Sequence, residues 1–81
     1  MIIEKAIKVL IFEKMEYYHN EMVKANTLAN ESERFRKIYD SDARAAANRV
    51  CAMAETISII ENTNEDAALA EFNEWLKSKE A

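Results

Sequence analysis

Asn30-Glu31-Ser32-Glu33 separates two long runs of helical periodicity. Before this break, apolar side chains recur every three or four residues, at Ile3, Ile7, Ile11, Met15, Tyr18, Met22, Ala25 and Ala29. After it the same step continues through Phe35, Tyr39, Ala43, Ala46, Val50, Met53, Ile57 and Ile60. Such spacing lays a single apolar stripe along one side of a helix. Asn30 with Glu33 three residues on is a variant of the capping box, and Ser32 is a second candidate cap. A short polar break between two helices of similar length predicts an antiparallel hairpin.

Further along, Asn62-Thr63-Asn64-Glu65-Asp66 marks a second break. Thr63 with Asp66 three on, or Asn64 alone, can cap a third helix. Glu65 and Asp66 suit its positive N-terminal end, and Lys77 and Lys79 its C-terminal end. The pattern predicts helices over 2–29, 33–61 and 65–79 within one helical domain spanning 1–81. Asp40-Ser41-Asp42 is a place where the second helix could kink.

The 81 residues contain no glycine and no proline. Small strand-rich folds need turns with positive φ, which glycine normally supplies, so the fold class is all-α. The same absence removes phosphate-cradling loops and nucleophile elbows, and the expectation is a protein that is not an enzyme.

A domain of this size has a core that contributes only about 3–5 kcal/mol by itself. Cys51 is the single cysteine, so no internal disulfide can form, and no Cys/His cluster is available for zinc. Oligomerisation is the remaining device. Two long helices cannot enclose a core, and a short third helix covers part of one face. A homodimer completing a four-helix bundle about a two-fold axis is the simplest solution. Ala43, Ala46, Val50, Met53 and Ile57 are the candidate dimer-interface residues. The small-residue run Ala43-Arg44-Ala45-Ala46-Ala47 would allow close helix approach. Arg49, beside this patch, is expected to pair with Glu13, Glu16 or Glu21.

The net charge of −4 is unevenly spread. Residues 34–49 hold five bases and two acids, whereas residues 50–81 hold seven acids and two bases. Arg34, Arg36, Lys37 and Arg44 form a candidate basic patch for nucleic acid or an acidic partner. The acidic total argues against nucleic acid, whose binding needs several phosphates neutralised together.

Glu16-Tyr17-Tyr18-His19 is a Glu-x-x-His, the spacing that puts a carboxylate and an imidazole on one helix face in di-metal carboxylate bundles. Glu16 and His19 are therefore weak metal candidates. The bridging carboxylate such a site needs is missing, because the facing residues 44–48 read Arg-Ala-Ala-Ala-Asn. No cofactor is expected. Cys51, among Val50, Ala52 and Met53, reads as a small core or edge residue, since reactive cysteines need an electropositive, accessible setting.

The third helix carries Phe72 and Trp75 amid Glu65, Asp66, Glu71 and Glu74. These aromatics either dock on the hairpin or enter a partner's groove as anchors, with the acids reaching a basic target. Size, acidity and the lack of catalytic residues look like those of the short helical proteins of phages and mobile elements, many of which bind and inhibit a host protein. The expected function is thus protein–protein interaction, with a di-metal bundle or a small nucleic-acid binder as alternatives. The N-terminal apolar stretch reads as a largely buried helix start. Glu4, Lys5 and Lys8 interrupt it, so it is too short and too charged to span a bilayer. With one cysteine and no secretory signal, the expected location is the cytoplasm.

Overall fold

A chain without glycine must end its helices by other means, and the computed structural model, which describes residues 2–80, shows two of them. Its elements are α1 (Lys5–Glu31), α2 (Arg36–Glu61) and α3 (Glu65–Glu80). At the first break, Ser32 leaves α1 in extended backbone and its N–H donates to the Leu28 carbonyl at 3.0 Å. Arg36 Nε donates to the Ala29 carbonyl at 3.3 Å, closing another free acceptor of the α1 terminus. The expected capping box is not formed. Asn30 lies inside α1, and α2 starts at Arg36 behind Phe35 with no side-chain cap. Acceptors at the end of α1, rather than donors at the start of α2, set this turn.

The second break solves the same problem with asparagine. Asn62 sits in the left-handed region at φ 56, ψ 45. The Thr63 N–H reaches back to the Ser58 carbonyl at 2.8 Å, and Asn62 N–H to Ile59 at 3.4 Å. This is a Schellman-type closure with asparagine in the place glycine usually takes. Asn64 Oδ1 then accepts the Ala67 N–H at 2.7 Å and caps α3, as expected.

Helix α2 runs unbroken through Asp40-Ser41-Asp42, so the possible kink there is not formed. The start of α1 does need correction. Helix α1 starts at Lys5, so residues 2–4 are not helical; Ile2 is exposed rather than buried.

Helices α1 and α2 pack as an antiparallel hairpin. Contacts mark its length: Ile3 N–H to Glu61 Oε2 at 3.3 Å, Arg49 Nη1 to Tyr18 Oη at 3.3 Å, and Arg36 to Ala29 at the turn. Helix α3 folds back on the open end and runs parallel to α1. Its rungs advance four residues at a time: Lys8–Glu71 at 3.0 Å, Phe12–Trp75 with ring centroids 5.6 Å apart, and Lys79–Glu16 at 2.6 Å. Under α3 lies the core, with Met15, Ile57 and Phe72 fully buried beside Phe12, Val50, Ala54 and Ala68. Phe72, Phe12 and Trp75 form a cluster in which each ring meets the other two, and each aromatic pair adds roughly 0.5–1.5 kcal/mol to the burial. Toward the turn, α3 has ended, and the hairpin closes on alanines: Ala25, Ala29, Ala43 and Ala46. No helix among the described residues is long and apolar enough to cross a membrane.

Candidate interaction surface

Packing of α3 decides what its aromatics do. Phe72 is only 2% exposed, and Trp75 is half-buried against Phe12 and Phe72. They hold α3 on the hairpin and are not free to enter a partner's groove. Of the acids expected to face a partner, Glu71 is held by Lys8, and Glu74 lies 3.9 Å from Lys77. Glu65 is partly buried and Asp66 is exposed.

Lys8 gathers two carboxylates, pairing with Glu61 at 2.7 Å and Glu71 at 3.0 Å. The Lys8 hydrogen bond holds the Glu61 carboxyl below its ordinary pKa, helped by the Ile3 N–H and outweighing the burial that opposes it. Burial disfavours the Lys8 charge in turn, but the hydrogen bonds to Glu61 and Glu71 prevail and its pKa is raised. This cluster ties the start of α1 to the end of α2 and to α3.

Glu16 and His19 go separate ways. Glu16 pairs with Lys79, and the His19 ring meets Phe72 edge-on at 6.2 Å. No group of three or more His, Cys, Asp or Glu side chains that could hold a metal ion occurs among the described residues. Cys51 is exposed rather than in the core. Partial desolvation and the Glu65 carboxylate push its thiol pKa up, away from the low values of reactive cysteines.

Arg34, Arg36, Lys37 and Arg44 are all exposed. Arg36 is engaged with the α1 terminus, and the Arg34 guanidinium lies over the Phe35 ring at 5.3 Å. The turn that carries them also carries Glu31, Glu33, Asp40 and Asp42, so the local charge is balanced.

The face the hairpin leaves open carries two of the five expected dimer-interface residues, Met53 and Ile57. Ala43, Ala46, Val50 and Ile57, expected at a dimer interface, are buried within the chain against α1; only Met53 among them is partly exposed. On α1, Lys8, Phe12 and Glu16 face α3, while Ile7, Leu10 and Lys14 point on the order of 160° away at 100° per residue. These last three line a groove of about 360 Å³ between α1 and α2, with Ile11, Met53, Thr56 and Ile57 as its floor and far wall. Ile7 is 49% and Leu10 64% exposed.

The groove continues toward the turn over Tyr17, Tyr18, Glu21, Asp42 and Arg49, which share a second depression. Arg49 does not pair with Glu13, Glu16 or Glu21. Its guanidinium lies 5.2 Å from the Tyr18 ring centroid and bonds the phenol oxygen. Lys14 Nζ also lies near this ring, 5.9 Å from its centroid. Tyr18 packs against the core cluster, as its place in the α1 stripe predicts, and its outer edge takes both cations. The signal for this was present as Lys14 four residues before Tyr18, but Arg49 is supplied by the hairpin register.

Set against family models, curated proteins and solved structures, the chain matches none of them.

Proposed function

We propose that this chain is a non-enzymatic helical protein that acts by protein–protein interaction, through the open face of the α1–α2 hairpin. The single observation that supports the reading is the groove floored by Ile11, Met53 and Ile57 and rimmed by exposed Ile7 and Leu10. Its occupant in this reading is a pair of helices from another polypeptide, completing a four-helix bundle. Helices of 27 and 26 residues are ~40 Å long, so the two-helix face measures roughly 800 Å², the share each partner contributes to a standard interface. An acidic docking surface on α3 has less support, because Lys8 and Lys77 already stand beside two of its four acids.

A photo-crosslinking residue placed at Leu10, and separately at Ile59, tests the reading in cells of the native source. Ile59 is equally open to solvent but lies outside the groove. One defined protein adduct at position 10, absent at 59 and lost on adding Ile7→Lys, is the expected result. Equal labelling at both positions, or none at 10, contradicts it.

A further inference from the structure

We propose that the occupant of the open face is a second copy of this chain, laid across it end for end. The inference rests on the preceding reading and names the partner.

The argument is the order of side chains along the face. At the open end come Ile7, Leu10 and Met53. Next come two cations, Lys14 and Arg49, and then two anions, Glu21 and Asp42. Beyond the anions the face becomes apolar again. Leu28 follows Leu10 by about five turns, and Ile38 precedes Thr56 by the same interval, so each keeps its partner's bearing on the helix. Ile38 is 58% exposed, and Phe35 beside it is exposed too.

The sequence of the face is therefore apolar, cationic, anionic, apolar. Turned end for end, that order is complementary to itself. A two-fold axis crossing the face beside Tyr18 brings Lys14 and Arg49 of one copy toward Glu21 and Asp42 of the other. It also sets Ile7 against Leu28 and Met53 against Ile38. An isologous interface requires this property, that one patch complements itself under rotation. The parallel alternative, with turn over turn, places Asp42 near Glu21 and Lys14 near Arg49 of the other copy, and like charges facing each other are disfavoured. None of the four charged groups has an ion-pair partner within its own chain among the described residues.

Two charge-reversed proteins test this. One carries Lys14→Glu and Arg49→Glu, the other Glu21→Lys and Asp42→Lys. Sedimentation equilibrium is run on the 81-residue wild type, on each variant, and on their equal mixture. Circular dichroism confirms that each is folded. The wild type is expected to dimerise, each variant alone to associate at least about tenfold more weakly, and the mixture to recover heterodimer. A mixture no tighter than its components overturns the proposal, as does a wild type that stays monomeric throughout the concentration range. A monomeric wild type that still gives a foreign adduct at position 10 rejects the second copy while leaving the open face as a docking surface. Loss of both rejects both.

Discussion

Lys8 Nζ lies 2.7 Å from Glu61 Oε2, joining the first turns of α1 to the last turn of α2, and both side chains are largely shielded from water. A group whose folded pKa is lowered adds stability above its ordinary value and loses it as pH falls, and Glu61 is of this kind. Lys8, with a raised pKa, adds stability below its ordinary value and loses it as pH rises. Stability should therefore be level at neutral pH. It should fall as pH drops below the ordinary carboxylate value of 4.5, and fall again above the ordinary lysine value of 10.5. Removing one partner by Glu61→Gln should cost about 1–3 kcal/mol at pH 7 and much less at pH 3, read by urea titration at both pH values.

Phe72 carries the docking of α3. Phe72→Ala should cost about 3–5 kcal/mol, enough to unfold so small a domain, whereas Phe72→Leu should cost far less. Thermal melts followed at 222 nm check the pair. A melting temperature unmoved by the alanine would mean that α3 does not rest on the hairpin.

Asn62 holds its left-handed backbone without glycine's freedom. Asn62→Gly should be neutral or stabilising by up to about 1 kcal/mol, and Asn62→Ala destabilising by about 1 kcal/mol, because a Cβ without a hydrogen-bonding group is strained there. Asn64→Ala should cost about 1 kcal/mol more through the lost cap on the Ala67 N–H. Chemical denaturation of the three variants decides these values.

Leu10 separates stability from association. Its side chain is mostly exposed in the single chain, so Leu10→Lys should change folding stability by less than about 0.5 kcal/mol. It should nonetheless weaken association by about tenfold or more, because a lysine there puts an unpaired charge into the apolar end of the seam. A large fall in the melting temperature of dilute protein would place Leu10 in the folded core instead.

The stripes of α1 and α2 make the hairpin readable in the sequence, and Asn64 is legible as a cap because its role needs only the next three residues. Asn30 misleads for a physical reason. Its pattern is local, while the turn is closed by Arg36 reaching back to Ala29 and by Ser32 reaching Leu28. Distant pairings are the least legible part. Arg49 was matched to carboxylates on charge alone, and the hairpin register brings Tyr18 to it. The buried alanines show the same limit, since an apolar stripe does not say whether its own chain or a second one will cover it.

The pairing direction can be measured with one distance. A spin label at Glu33→Cys in a Cys51→Ser background lies in the turn itself, on an exposed position. In the end-for-end dimer the two labels sit at opposite ends, and pulsed dipolar spectroscopy should give a separation of roughly 35–45 Å from the rise of 1.5 Å per residue. A separation under about 20 Å, the value for turns lying side by side at normal helix packing distances, would contradict the account, as would the absence of any intermolecular coupling.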